Sequence, residues 1–301
     1  MSAEAADLDS RRIDLVGVIM GVGFALMWSS AFSAVKLALE DAPPFLLLTF
    51  RFLVAGVFAI GIALALGQRF PRLGRSWFAI LVLGLCQNSL YLGLNFKAMT
   101  VIPAGLAAII ASSVPLIVAL FSRFLLRERL SWFGFTGLVI GFAGVLMIMA
   151  NRISAGDSAF GLLLCIIGAA ALASATLIVR GVDLGTGLLM VVGLQMLVGS
   201  ASLAPIVYIL EDPTTVRLTG SLISAFIYIT IVPGVIATLV WFHLVKRIGA
   251  TQAAAYHFLN PAFGVIIASL LLAENISLLD GFGVAIIMAS ILMVQLSPYQ
   301  R

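Results

Sequence analysis

The chain has 301 residues, of which 62% are apolar and only 10% charged, and its formal net charge is +4. A soluble domain carries about 25% charged residues, so this chain lacks the polar surface of a water-soluble globule and belongs in a bilayer. Its basic residues lie between apolar runs and form no single patch, which argues against nucleic acid as a partner. We expect membrane lipid around the chain, and no obligate protein partner is evident.

Apolar runs of about 20 residues predict helices that cross the hydrocarbon core of a membrane. Ten such runs follow one another with short connections, and we number them segments 1 to 10. The predicted fold class is therefore an all-α integral membrane protein of about ten transmembrane helices. The runs are residues 13–38, 44–66, 77–98, 102–122, 131–150, 159–180, 187–210, 220–243, 250–272 and 277–296.

The distribution of Lys and Arg predicts the orientation of the chain. With the N-terminus in the cytoplasm, basic residues near the cytoplasmic ends of the segments outnumber those near the opposite ends by about three to one, as the positive-inside rule requires. We therefore expect a multi-pass protein of the bacterial cytoplasmic (inner) membrane with both termini cytoplasmic. Residues 1–12 would form a cytoplasmic tail.

An internal repeat organises the sequence. A shift of 146 positions carries residues 95–149 onto residues 241–295 without a gap and aligns Pro115 with Pro261. A shift of 144 positions aligns the segments that precede them. The alternative is coincidence between two stretches of low hydrophobic complexity. Matched proline, glutamate and glycine positions favour a duplicated unit over coincidence.

The duplication predicts two inverted halves. Each copy contains five segments, an odd number, so the second copy enters the membrane in the opposite sense to the first. We expect a first five-helix repeat over residues 13–150 and an inverted repeat over residues 151–301. Inverted repeats are common in secondary transporters, where the substrate binds near the membrane midplane between the halves.

Several groups that ion coupling or enzymatic catalysis would need are missing from the sequence. No Asp or Glu lies deep in any segment, whereas ion-driven carriers usually keep a buried carboxylate for the coupling ion. Facilitated diffusion or exchange is therefore favoured over ion coupling. The chain also has no HExxH, GxSxG or phosphate-loop motif. We expect no enzymatic activity, no cofactor and no metal site.

Two basic side chains lie deep within the segments. Arg51 is the one charge well within a segment, a position that costs about 2.5–3.5 kcal/mol on insertion scales. It would either bind a substrate carboxylate or hold segment 2 in place by pairing with carbonyl groups. His257, in segment 9, would act either as a proton carrier or as a neutral, hydrogen-bonded side chain.

Polar and aromatic residues within the segments predict a substrate site. In segment 3, positions 88, 91 and 95 are three and four residues apart and share one helix face. In segment 1, small hydroxyl residues lie beside two aromatic rings, which suits a cavity wall or close helix packing. The predicted substrate-binding set is Trp28, Ser29, Phe32, Asn88, Tyr91, Asn95, Ser112, Trp241, Tyr256, His257 and Asn260.

Segments 4 and 9 each contain a proline at the equivalent repeat position, Pro115 and Pro261. A proline inside a helix removes a backbone donor and bends the helix, which leaves carbonyl groups free one turn upstream. A fixed kink that serves packing is one interpretation. We predict instead that these prolines are hinges in gating.

Taken in order, these features resemble the drug/metabolite transporter superfamily. The alanine pair that precedes each segment proline and the glutamate that follows it are similar to the EamA-type repeat of that superfamily. The resemblance covers essentially the whole chain after residue 12. The motifs that carry it are Trp28-Ser29-Ser30 with Phe32, Arg51-Phe52, Glu128 and Glu274.

Within that superfamily the chain resembles bacterial exporters of the YddG type. The resemblance implies a secondary transporter that exports amino acids, notably aromatic and other apolar ones, and related amphipathic metabolites by alternating access. It also implies a central cavity lined by segments 1, 3, 4, 6, 8 and 9, with segments 5 and 10 outside. The alternatives are a proton-coupled metabolite or drug efflux carrier and a non-carrier pore.

Overall fold

The computed structural model describes most of the chain, and almost all described residues are helical. Six helices in this part are long and apolar enough to cross a membrane, and they coincide with segments 1, 2, 3, 6, 7 and 8. They are Leu15–Ala38, Pro44–Ala65, Arg75–Ala98, Ala159–Gly181, Leu188–Leu210 and Gly220–Ile248. The described residues are 14–72, 74–102, 107, 110–126, 129–149, 158–181, 183, 186–272, 278–297 and 299–300.

The remaining four segments contain shorter helices, namely Val114–Phe121, Trp132–Met149, Leu259–Leu272 and Leu278–Gln295. Segment 9 opens with the short helix Ala250–Ala254 and a 3₁₀ turn, Ala255–Phe258. The helical membrane fold is thus confirmed, while the number of ten spans stays a prediction. The repeat residues Glu128 and Glu274 lie outside the described residues. The minor elements are a 3₁₀ turn, Pro213–Thr215, and two paired antiparallel strands, Arg129–Leu130 and Tyr299–Gln300.

Within the residues that the structure describes, three segments contain wide π-helical turns, which the apolar pattern does not predict. They are Leu85–Leu92 in segment 3, Ser122–Leu126 in segment 4 and Thr230–Ile236 in segment 8. Those in segments 3 and 8 occupy equivalent places in the two repeats. A π turn closes its hydrogen bonds one residue later than an α turn. Side chains across it therefore leave the helix face that a period of 3.6 residues predicts.

Segments 2 and 7 pack along their full length as an antiparallel pair. At one end, Glu211 after segment 7 accepts hydrogen bonds from the backbone N–H groups of Phe45 and Leu46, at 3.0 and 2.7 Å. Its carboxylate thereby satisfies donors at the start of segment 2 that no helical carbonyl can reach. Near the middle, Gly56 and Gly193 let the two backbones approach closely.

Segments 5 and 10 form a second antiparallel pair. The hydroxyl groups of Ser131 and Ser297 lie 2.7 Å apart at one end. Along the contact, Gly137 lies against Met293, and Gly141 against Ser290. Segments 2 and 7, like segments 5 and 10, are equivalent in the repeat, and each pair is antiparallel. The contacts are those expected of two inverted halves, whose boundaries at residues 13–150 and 151–301 stay a prediction.

An ion pair links segments 1 and 8 at each end of the bundle. At the end we call face A, the Arg247 guanidinium makes two contacts with the Asp14 carboxylate, one of them 3.0 Å between Nη2 and Oδ1. At the opposite end, face B, Arg217 lies 2.9 Å from Asp41. Face A is the end that the Lys and Arg distribution predicts to be cytoplasmic.

Candidate functional site

A narrow cavity lies between segments 1, 2, 3 and 8 and extends towards face B. Its wall is mostly apolar and aromatic, with polar groups from one arginine, one tyrosine and one asparagine. Its volume of about 30 Å³ holds a water molecule or two and is far below the roughly 300 Å³ of a small-molecule pocket. The residues that line it are Trp28, Ala31, Phe32, Val35, Arg51, Tyr91, Leu92, Asn95, Phe96, Met99 and Pro233.

Trp28 and Tyr91 form the aromatic wall of this cavity. Their ring centroids are 6.2 Å apart with an interplanar angle of 12°, and the indole Nε1 donates to the Tyr91 hydroxyl at 3.4 Å. Tyr91 is only 2% exposed although it borders the cavity. The π turn of segment 3 contains Tyr91 and turns its ring towards segment 1. A flat apolar surface with one hydroxyl group suits an aromatic or other apolar side chain.

The π turn separates the three polar residues predicted on one face of segment 3. Asn88 turns to segment 7, where its Nδ2 donates to the Gln195 carbonyl at 2.7 Å and to Gln195 Oε1 at 2.8 Å. Asn88 does not line the cavity, whereas Tyr91 and Asn95 do. Asn95 Nδ2 donates a hydrogen bond of 2.8 Å to the backbone carbonyl of Tyr91, one turn earlier in the same helix. Its Oδ1 is therefore the part of that amide left for a ligand.

An aromatic block closes the space between the cavity and face A. Phe24 and Trp241 stack with ring centroids 4.6 Å apart, and His257 meets the Trp241 ring at 5.0 Å. Tyr256 packs its ring against Gly21 of segment 1, where any Cβ would overlap it. All four side chains are buried. Sequence reasoning missed Phe24, although its spacing of four residues from Trp28 could have placed it on the same helix face.

A buried polar cluster adjoins the aromatic block. Asn260 lies 3.2 Å from Nδ1 of His257, and the Ser29 hydroxyl donates to the Asn260 carbonyl at 2.8 Å. The Ser112 hydroxyl donates to the His257 carbonyl at 3.4 Å. Three atoms of the block and its cluster have no hydrogen-bond partner among the described residues, namely the Tyr256 hydroxyl, His257 Nε2 and Asn260 Oδ1. Such buried groups are costly, so the cluster is well suited to acquire water or ligand partners when the block opens.

The two segment prolines lie at helix starts rather than in helix interiors. Pro115 is in the first turn of Val114–Phe121, and Pro261 is the third residue of Leu259–Leu272. A proline in the first turn costs no backbone hydrogen bond, because the N–H groups there have no partner within the helix. Each segment is interrupted just before its proline instead of bent around it. The hinge role of both residues stays a prediction.

The structure thus divides the predicted substrate set between two neighbouring places. Four of its members line the cavity together with Arg51. They are Trp28, Phe32, Tyr91 and Asn95. Six belong to the aromatic block and its polar cluster: Ser29, Ser112, Trp241, Tyr256, His257 and Asn260. Within the described residues, no group of three or more His, Cys, Asp or Glu side chains could hold a metal ion. Pro233, which no sequence argument singled out, also lines the cavity from the π turn of segment 8.

The ion pair at face A predicts a dependence of stability on pH. Asp14 directly precedes the first helix, and its hydrogen bond to Arg247 holds the pKa of the carboxyl below its usual range. The pair therefore contributes stability above about pH 4 and loses it as pH falls through the lowered pKa. The effect is small, because the Asp14 and Arg247 side chains are 33% and 48% exposed.

Between about pH 6 and pH 3, the melting temperature of the unaltered protein in detergent should fall slightly more than that of Asp14→Asn. The measurement is a thermal unfolding series on both proteins in the same buffers. The two proteins should differ most at the neutral end of the series. Parallel curves over the whole range would contradict a role for the pair in stability.

The repeat that the contacts outline is also found by comparison with known families. One family model, that of EamA-like transporters, matches residues 15–150 and again residues 159–296. The chain belongs to the EamA-like transporter family. The protein is therefore a multi-pass membrane transporter, and the family implies a small-molecule substrate and a lipid environment.

Individual relatives of this EamA-like protein carry the same general description. It is 29% identical over 269 residues to the uncharacterized transporter YvbV of Bacillus subtilis, covering 89% of this chain and 88% of the relative. It is 26% identical over 290 residues to the uncharacterized inner membrane transporter YedA of Escherichia coli K12, covering 93% and 92%. A solved crystal structure superposes with a TM-score of 0.78 at 23% identity over 93% of this chain and 97% of the other. That likeness supports the fold alone.

Proposed function

We propose that this EamA-like transporter exports amino acids, notably aromatic and other apolar ones, together with related amphipathic metabolites. The export runs from the cytoplasm, at face A, across a bacterial inner membrane. It proceeds by alternating access and is facilitative or exchanging rather than ion-driven.

The aromatic wall of the cavity is the observation that carries this proposal. Trp28 and Tyr91 present parallel rings, and Tyr91 and Asn95 add polar groups to this mostly apolar lining. An amphipathic solute with one apolar end and one polar end matches such a lining. A strongly hydrophilic solute such as a sugar would leave most of the wall without hydrogen-bond partners.

Alternating access is supported by the small volume of the cavity and by the aromatic block. The cavity of about 30 Å³ is too small for an amino acid. The block formed by Phe24, Trp241, Tyr256 and His257 separates it from face A. A substrate therefore enters only after helices or side chains move apart. A permanently open pore would need no such rearrangement, which disfavours the pore.

The composition of the lining supports transport without ion coupling. Among the residues that the structure describes, none that lines the cavity is a carboxylate, the group on which proton or sodium coupling usually depends. One observation favours the proton-coupled alternative. His257 is buried in the aromatic block beside Asn260, in a position from which it could bind and release a proton as the block opens and closes.

Counterflow in proteoliposomes tests the proposed function. Vesicles loaded with unlabelled L-phenylalanine should transiently accumulate labelled L-phenylalanine, and the initial rate should saturate with concentration. A competition panel of aromatic, aliphatic and cationic solutes then ranks the substrates, with empty liposomes as the control. A flux that never saturates would favour the pore, and competition by cationic solutes alone would contradict amino-acid export.

A pH gradient across the same vesicles tests the coupling. The facilitative mechanism predicts that labelled substrate equilibrates and does not accumulate against its own gradient. Sustained accumulation driven by the pH gradient would contradict it and favour the proton-coupled carrier. Loss of that accumulation in His257→Gln would then assign the proton to His257.

A further inference from the structure

The guanidinium group of Arg51 is buried and lies beside the cavity. The residue is 3% exposed, and its side chain forms part of the cavity wall together with Tyr91 and Asn95. Its Nε atom has no hydrogen-bond partner in the described part of the chain. Among the residues that the structure describes, no carboxylate forms an ion pair with it. Its aromatic neighbour is the ring of Phe52, 5.6 Å from Cζ.

The equivalent position of the second half has a neutral side chain, and its oxygen is hydrogen-bonded while its nitrogen has no partner among the described residues. The counterpart of Arg51 in the second half is Gln195, whose side-chain oxygen accepts from Asn88 Nδ2 at 2.8 Å. When the shift of 146 positions is extended back to residue 88, it pairs Asn88 with Gly234, which lies against Arg51. A Cβ at Gly234 would be 3.6 Å from Arg51 Nη2. One half therefore has an amide pair, and the other has a cation facing a residue without a side chain.

A buried cation without a counter-ion would be strongly stabilised by a bound anion. Removing a charge from water is costly unless it is paired and hydrogen-bonded. An anion that enters the cavity would meet the guanidinium where water screens the attraction weakly. The planar fork of arginine fits a carboxylate through two parallel hydrogen bonds.

We infer that Arg51 binds the carboxylate group of the transported solute, while Trp28 and Tyr91 hold its apolar part. The inference rests on the proposed function and names the end of the substrate that the first half recognises. The apolar wall selects a solute with one carboxylate and a hydrophobic body over a doubly charged phosphate. Phosphate shares the affinity of guanidinium for oxyanions, so the test includes a phosphate probe.

The test compares ligands that differ only at the polar end. Binding to purified protein is measured by thermal shift and by inhibition of counterflow, with L-phenylalanine, 3-phenylpropionate, L-phenylalaninamide and phenyl phosphate as probes. We expect the two carboxylates to bind at least about tenfold more tightly than the amide, the range of a charge-assisted hydrogen bond. Arg51→Gln should abolish this preference, and Arg51→Lys should retain part of it.

Gln195→Leu is the matched control, because it changes the equivalent buried position of the other half without touching the cavity. It should leave the preference for acid over amide unchanged, even where it lowers stability. Should Arg51→Gln fail to fold, Arg51→Lys and the probe series on the unaltered protein still decide the question.

Each result has a definite consequence. An equal affinity for acid and amide in the unaltered protein, or a preference that survives in Arg51→Gln, would overturn the inference. So would tighter binding of phenyl phosphate than of 3-phenylpropionate. Carboxylate-dependent binding of 3-phenylpropionate without transport of any amino acid would support the role of Arg51 while refuting the proposed substrate class.

Discussion

Tyr91→Ala should reduce saturable counterflow of a labelled aromatic amino acid at least about tenfold, a loss equivalent to about 1.4 kcal/mol. The side chain is 2% exposed, and its ring lies parallel to that of Trp28 in the cavity wall. Its removal leaves a gap in the surface that would contact the substrate and deprives the Trp28 N–H of its acceptor. The measurement is the initial counterflow rate per reconstituted protein.

Two variants separate a binding role from a general effect on folding. Tyr91→Phe keeps the ring and loses only the 3.4 Å contact with Trp28, so it should lose less activity than Tyr91→Ala. Tyr208→Ala makes the same chemical change at a side chain that is 91% exposed near the end of segment 7. That variant should transport normally. Undiminished counterflow in Tyr91→Ala would remove this residue from the substrate site.

Gly141→Val should destabilise the folded protein and lower its yield. Gly141 lies in segment 5 against segment 10, and a Cβ at this position would overlap the Ser290 hydroxyl and lie 2.7 Å from the Phe258 ring. Overpacking of this kind costs about 1–3 kcal/mol, and close helix contacts in membranes depend on small residues. We expect a sharp fall in monodisperse protein after extraction and a melting temperature several degrees lower.

Gly61→Val provides the matched comparison. Gly61 is in the helix of segment 2, and nothing lies within 4 Å of the position where its Cβ would be. The two variants have the same change in side-chain volume and in helix propensity, and they differ in whether another helix is in contact. Similar melting temperatures for both would show that the contact between segments 5 and 10 does not limit stability.

The helical membrane fold could be predicted because it depends on properties that a sequence displays directly. A hydrocarbon core requires long apolar helices whose backbone groups are satisfied internally. Long segments such as Leu15–Ala38 and Leu188–Leu210 meet that requirement by composition alone. The repeat was equally visible, because its matched positions include proline. Trp28 and Tyr91 could be proposed as site residues because each lies beside polar side chains inside an apolar segment.

The π turns could not be predicted from the spacing of residues. The prediction for segment 3 used a period of 3.6, which places Asn88 with Tyr91 and Asn95. The wide turn at Leu85–Leu92 instead directs Asn88 to Gln195 in segment 7. In segment 8, Pro233 and Gly234 were the available signal, since proline lacks the N–H that a regular helix needs.

The division of the site between cavity and aromatic block also lies beyond sequence reasoning. Tyr256, His257 and Asn260 combine polar and aromatic groups in the same way as the cavity residues do. Whether they face a ligand or one another depends on which contacts between segments are formed, and a single sequence encodes all of these alternatives. Their burial beside Phe24 and Trp241 describes one arrangement of the segments.

The antiparallel pairing of segments 2 and 7 has a consequence for how such a molecule can move. When the two halves exchange roles, segments 2 and 7 take each other's places, so this pair is unchanged. The pair of segments 1 and 8 is instead exchanged with the pair of segments 6 and 3. The contact between segments 2 and 7, with the Glu211 hydrogen bonds and the facing glycines, can therefore stay the same through a transport cycle. Under the proposed alternating access, this contact would act as the pivot, and the contacts around it would be the ones that change in each half-cycle.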